Sequence, residues 1–142
     1  AAAIQKAKSM RGGDELAYLE LDQELQSRRG ALDPSCWGDV VIQRKDSPSS
    51  YHLAVVVDDH RQAITHVVRG ADLEAATAIH RLLQVLLGLP APLYHHHRLV
   101  LDADGRKLAK RDQSTSLGSL RAHGLTVQDV RRLVGLDAER QR

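Results

Sequence analysis

The sequence predicts an α/β fold: parallel strands joined by a crossover helix, then a short helical tail. Two patterns carry this expectation. Between two strand-like segments, Leu73, Ala76, Ile79, Leu82, Leu83, Leu86 and Leu87 follow the three-four spacing of a buried helical face. The tail then holds two short helix signatures, one closed by Gly124 and one opened by Thr126. With 142 residues, 42% hydrophobic and 27% charged, the chain is long enough for one real core.

Each element can be justified in order. Residues 1–10 are helix-compatible, and Arg11-Gly12-Gly13-Asp14 ends that run. Residues 16–21 read as helix or strand, both open. The polar stretch 22–35, with Arg28-Arg29-Gly30 and Asp33-Pro34, reads as a connector, so 1–36 form a connecting region. A first strand is expected over 37–44, β-branched and bounded by Gly38 and the Ser47-Pro48-Ser49-Ser50 turn. The valines of 51–59 favour strand, yet a second strand at 63–69 follows after a very short link, which leaves strand and short helix both open. The helix over 72–87 has Asp72 as an available N-cap, Gly88 as a stop, and Pro90 to prevent resumption. A strand over 99–101 and the turn Asp102-Ala103-Asp104-Gly105 lead into a cationic loop that closes a unit at 37–112. The helical segment 113–142 completes the chain.

Composition excludes several function classes. One Trp, three Tyr and no Phe leave too few rings for the stacking platforms of single-strand binders. The single Cys36 rules out an internal disulfide and suits a reducing, cytoplasmic compartment. No apolar run approaches the roughly 20 residues of a membrane span. The start is not a signal peptide and reads as the middle of a helix, as though the chain were part of a longer one. Net charge is +2, but from Arg106 onward nine Lys/Arg face four Asp/Glu, a balance that fits RNA, ATP or a solvated helical surface.

The residues that can carry chemistry cluster around strand ends. In Gly105-Arg106-Lys107-Leu108-Ala109-Lys110-Arg111-Asp112, two lysines three apart follow an apolar run. Such mobile charges can follow phosphate as charge develops, although an isolated pair of this kind is usually a solvated turn. Arg69 ends a strand where open α/β sheets bind ligands, and its planar fork can grip a carboxylate. Tyr51 can add a hydroxyl to the same ligand; the plainer alternatives are a surface salt bridge and a half-buried core tyrosine. Asp58-Asp59 diverge in direction and suit capping better than a metal. Consecutive residues in His95-His96-His97 do not converge on one ion, so no metal site is assigned, but His96 can line a nucleotide pocket. His52, His60, His66, His80 and His123 carry no assignment.

Several segments in register resemble a known family. Residues 50–59, Ile64-Thr65-His66-Val67-Val68-Arg69-Gly70-Ala71-Asp72-Leu73, Gly88-Leu89-Pro90 and residues 104–111 are similar, in that order, to the second half of the Rossmann-like catalytic domain of class I glutamate-activating synthetases. Lys107-Leu108-Ala109-Lys110-Arg111 resembles the KMSKS motif of that class, with Ala109 where Ser is usual. Trp37-Gly38-Asp39-Val40-Val41, Arg69-Gly70-Ala71-Asp72-Leu73, Tyr94-His95-His96-His97-Arg98-Leu99 and Thr115-Ser116-Leu117 resemble the glutamyl-queuosine tRNA(Asp) synthetases more closely.

That resemblance implies a two-step reaction. Glutamate and ATP form glutamyl-adenylate, with Mg2+, and the glutamyl group passes to queuosine in the anticodon of tRNA(Asp). It implies that Tyr51 and Arg69 contact glutamate, that Lys110 helped by Lys107 stabilises the triphosphate, and that His96, Leu99 and Val100 border the adenine. Glutamate activation without tRNA is implied as well, where ordinary glutamyl-tRNA synthetases need their tRNA. The HIGH-like motif and the zinc-binding cluster of the family lie upstream of anything in this chain, so a C-terminal part of a longer, monomeric enzyme is expected, inactive alone. A fragment of an ordinary glutamyl-tRNA synthetase and a non-catalytic RNA- or nucleotide-binding remnant are the alternatives.

Overall fold

The computed structural model describes residues 2–10, 16–31, 33–102, 105 and 116–136, and the chain divides into two compact units, 1–98 and 99–142. The first unit is built on a mixed sheet of four strands: β1 (Ala17–Leu21), β2 (Ser27–Ala31), β3 (His66–Gly70) and β4 (Leu93–His97), in spatial order β2-β1-β4-β3. β3 and β4 run parallel, in register from His66↔Leu93 to Gly70↔His97, and α3 (Thr77–Leu87) is the crossover between them. β1 joins β4 in parallel through Glu20↔Tyr94 and Leu21↔His95, and pairs antiparallel with β2. The expected strand–helix–strand unit is therefore present. Among the described residues no helix is long and apolar enough to cross a membrane.

Burial explains the choices that propensity left open. Of residues 16–21, Ala17–Leu21 form a strand because Tyr18 and Glu20 alternate onto the inner face while Leu19 faces outward. Residues 51–61 form helix α2 (Tyr51–Arg61) in spite of the valines. Val56 there packs with Ile79 and Leu83 of α3, with Val40, Val55 and Leu89 around them. A buried apolar contact of this size is worth about 1.5–3 kcal/mol per large side chain, more than the propensity penalty of a β-branched residue. On the other side of α3, helix α1 (Ala2–Met10) contributes Ala7 to a cluster with Leu16 and Val85.

Four expectations are corrected. The supposed connector holds β2, an arginine-rich edge strand turned back from β1 by Asp22, whose Oδ1 accepts from the Glu24 and Gln26 amides at 3.0 and 2.8 Å. Where a strand over 37–44 was expected, a 3-10 turn (Pro34–Trp37) capped by Asp33 leads into irregular chain. Val41 and Ile42 are exposed there, so no sheet face is buried and β-propensity alone makes no strand. Helix α3 starts after a separate 3-10 turn (Ala71–Leu73), with Ala76 rather than Asp72 at its N-cap position; Thr77 and Ala78 are already buried and tertiary packing holds the first turn. The strand placed at 99–101 lies instead at Leu93–His97, since the register with β3 requires the histidine run itself to be the strand. Gly88 closes α3 in the left-handed conformation, φ 68°, as its position predicted.

In the second unit, α4 (Leu117–Ala122) is capped by Ser116, whose side chain accepts from the Ser119 amide. α5 (Val127–Leu133) carries the full capping box between Thr126 and Asp129 that the sequence announced. Lys107 and Lys110 fall outside the described residues.

Candidate functional site

Parallel pairing sets Arg69 directly beside His96 near the carboxyl ends of β3 and β4. Partners across a parallel ladder point to one face, so the two side chains meet: Arg69 Nε donates to His96 Nε2 at 3.2 Å. The same guanidinium reaches α3, where Nη2 donates to Thr77 Oγ1 at 2.6 Å and Nη1 lies 3.0 Å from His80 Nδ1. Thr77 and His80 are three apart on one face of the helix, the spacing that lets both reach one group. Tyr94, two residues before His96 on the same face of β4, lies under the guanidinium, with Cζ 5.2 Å from the ring centroid.

Hydrogen-bond logic assigns the protons. His96 Nε2 accepts from Arg69, so its Nδ1 carries the proton and donates to Glu20 Oε1 at 2.8 Å. Thr77 Oγ1 accepts from Arg69 and lies 3.2 Å from His96 Nε2. Glu20, only 3% exposed, also binds Arg28 of the neighbouring strand through Oε2 at 2.9 Å. His80 Nδ1 accepts from Arg69, which leaves its Nε2–H to donate to His52 Nδ1 at 3.1 Å. Burial, Arg69 and His52 together push the His80 pKa down to about 3, so this ring is neutral at physiological pH. Burial and then Arg69 lower His52 as well. Burial raises the Tyr18 hydroxyl to about 12 and also raises Tyr94, so both phenols stay neutral beside the network.

The guanidinium has five N–H groups, and three are directed to His96, His80 and Thr77. Among the described residues one N–H on Nη1 and one on Nη2 remain, and a carboxylate can accept from both. The hydrogen-bond acceptors of Arg69 among the described residues are neutral, while Asp59 acts on its charge electrostatically. Tyr51 opens α2 and is 53% exposed, its ring 5.5 Å from His52 and 5.9 Å from His80.

Of the residues expected from sequence, Arg69, His96 and Tyr51 thus belong to one connected cluster. Leu99 and Val100 are half-buried in the second unit and in no strand. The residues the sequence did not reveal are Glu20, His52, Thr77 and His80. Only the Thr77/His80 spacing behind a strand-ending arginine hinted at them. The other histidines of the run turn elsewhere, His95 to the Leu21 carbonyl and His97 to that of Arg98. An open cavity of about 850 Å³ lies at the opposite, amino ends of the strands, lined by Val56, Ile64, Pro90, Pro92, Leu93 and, at its polar points, Arg29 and Asp59. Tyr18, His60, Thr65 and Arg81 line it as well; the chemistry is assigned to the carboxyl end, where Arg69, Thr77, His80 and His96 are joined in one hydrogen-bonded network.

Comparison with known proteins bears on this arrangement. Residues 22–137 match the family described as tRNA synthetases class I (E and Q), catalytic domain. The chain is 56% identical over 99 residues to a glutamyl-Q tRNA(Asp) synthetase of Rhodobacter capsulatus, covering 70% of this chain and 36% of that protein. It is 44% identical over 117 residues to a glutamate–tRNA ligase of a Synechococcus species, covering 79% of the chain and 24% of the ligase. The fold matches a crystal structure of a glutamate tRNA ligase from Elizabethkingia meningosepticum in complex with its amino acid, with TM-score 0.55 and 32% identity over 68% of this chain and 18% of the other. The chain therefore spans well under half the length of these relatives.

Proposed function

The chain belongs to the class I tRNA synthetases (E and Q), catalytic domain, and from that premise we propose that it supplies the second half of a site where ATP activates glutamate for transfer to queuosine in the anticodon of tRNA(Asp). The observation that carries this reading is the Arg69 guanidinium, held by three side chains at the carboxyl end of a parallel strand, with one N–H on each terminal nitrogen uncommitted among the described residues. A carboxylate held there is oriented by two parallel charge-assisted hydrogen bonds, and the exposed Tyr51 hydroxyl stands within the same cluster to receive a second polar group of the amino acid.

In the reaction an oxygen of the glutamate α-carboxylate attacks the α-phosphorus of ATP; the mixed anhydride forms and pyrophosphate leaves. This chain's contribution to that step is positioning of the amino acid by Arg69 and Tyr51. The resemblance assigns Lys107 and Lys110 to the departing pyrophosphate, and His96, Leu99 and Val100 to the adenine side. His96 also has a second use, as the acceptor that holds Arg69 Nε. Among the described residues no three His, Cys, Asp or Glu converge as metal ligands, so Mg2+ accompanying ATP is given no protein ligand here.

The 56% identity to a glutamyl-Q tRNA(Asp) synthetase favours queuosine as acceptor; the similarity to glutamate–tRNA ligases supports ordinary tRNA charging as the second reading. Glutamate-dependent ATP–pyrophosphate exchange by the full-length protein separates them. Exchange without tRNA is the expected result, followed by glutamyl transfer to queuosine-containing tRNA(Asp). Exchange only after tRNA(Glu) is added would move the assignment to the ordinary ligase, and no exchange in either case would remove the enzymatic reading.

A further inference from the structure

Arg69 is held by two arms of different chemistry. In one, Glu20 fixes the His96 tautomer, and Glu20 is itself anchored by Arg28. In the other, His80 is fixed by a second imidazole, His52, at the half-buried edge of the cluster, between the rings of Trp37 and Tyr51. We propose that His80, kept in one tautomer by His52, is a positioning residue that aims Arg69, and that proton uptake by His52 releases the guanidinium and weakens its hold on a carboxylate substrate. The inference rests on the reading of Arg69 as the carboxylate-holding group.

The mechanism follows from valence. A neutral imidazole accepts at one nitrogen only. His52 uses Nδ1 to accept from His80 Nε2, and His80 then has Nδ1 available to accept from Arg69 Nη1. A proton taken from solvent onto His52 Nδ1 places two N–H groups opposite each other across 3.1 Å. The contact is restored if His80 gives up its Nε2 proton and gains one on Nδ1 by exchange with water, with no change in its proton count. That second N–H then faces Arg69 across 3.0 Å, where an acceptor is required, and the contact is lost. One proton entering at the edge of the cluster is thereby converted into a displaced arginine at its centre.

The groups around the pair decide which ring titrates. Arg69 of β3 opposes protonation of both, and His52 and His80 oppose each other. Tyr51 of α2 and Trp37 of the 3-10 turn contribute rings, while His96 of β4 contacts Arg69 and Thr77 on the far side of the assembly and Glu20 of β1 reaches it through His96. Asp59, on the same helix as His52, interacts with Arg69. His80 is 2% exposed and His52 half-buried, so the proton enters at His52 first. The device holds Arg69 in place at neutral pH and lets it go on acidification.

The test uses the full-length protein, measuring the KM for glutamate in ATP–pyrophosphate exchange against pH, together with ¹⁵N shifts of the histidine rings. The expected result is a rise in KM of about tenfold on the acid side with a smaller change in kcat, the effect of losing one charge-assisted contact. His52→Asn, whose amide oxygen accepts from His80 and does not titrate, should flatten that rise, whereas His52→Leu should raise KM at every pH. An acid rise unchanged in His52→Asn would overturn the proposal. So would a His80 ring carrying its proton on Nδ1 at neutral pH. If the wild type shows no exchange, the functional reading fails by itself; the ¹⁵N spectra still decide the tautomer relay, which requires His80 Nδ1 to gain its proton as His52 titrates.

Discussion

The two ends of the β3–β4 pair are organised differently. At the carboxyl end Arg69, Thr77, His80 and His96 close on one another at 2.6–3.2 Å. At the amino end the same strands open into a cavity of about 850 Å³ lined by Val56, Ile64, Pro90 and Leu93 together with Arg29, Asp59, His60 and Arg81. The crowded end is where donors and acceptors were oriented in advance, and a charge held in place by neutral partners is what recognition of a carboxylate needs. Preorganisation, more than size, separates a site from a hole.

Acidification should break the crowded end first. His80 has its pKa lowered from 6.5 to about 3 by burial, Arg69 and His52, so the unfolded chain takes up the proton before the folded one. Stability is then complete above about pH 6.5, falls as the pH drops toward 3, and levels off below, a loss on the order of 3–5 kcal/mol from this residue. Urea unfolding of the full-length protein across that window should show the slope, and His80→Gln should reduce it.

Arg69→Ala should lower kcat/KM for glutamate activation by about 100-fold, and Arg69→Lys by more than about tenfold, because a lysine cannot supply the planar fork. Ile64→Ser at the amino end should leave the glutamate KM within about twofold. Comparable losses in the Ile64 and Arg69 variants would reverse the assignment of the two ends.

A smaller effect probes the packing beneath Arg69. A Cβ on Gly30 would come within 2.5 Å of the Tyr18 ring, which packs edge-on against Tyr94 beneath Arg69. Gly30→Ala should therefore cost about 1–3 kcal/mol of stability, read by thermal melting. An unchanged melting temperature would show that the Tyr18 ring can move aside and that this wall of the cluster is soft.

Much of the architecture was written in local rules. The amphipathic face of α3, its stop at Gly88, and the capping box of α5 need only residues three to five apart to agree. The strand-ending position of Arg69 was legible for the same reason. The run Leu93–His97 was hidden because its buried residues are Tyr94 and His96, and hydropathy patterns look for apolar side chains on an inner face. β2 was hidden by its arginines, which suit an exposed edge.

The sequence by itself determined that an arginine ends a strand ahead of a crossover helix, and that residues throughout most of the chain match one synthetase family. Only the tertiary structure decided what holds that arginine. Glu20 and His96 stand 76 positions apart, and His52 and His80 stand 28 apart. A polar group can be buried only where its partner is buried with it, and that partner is set by strand register and helix packing. Spacing along the chain carries no record of such a pairing until the sheet has formed.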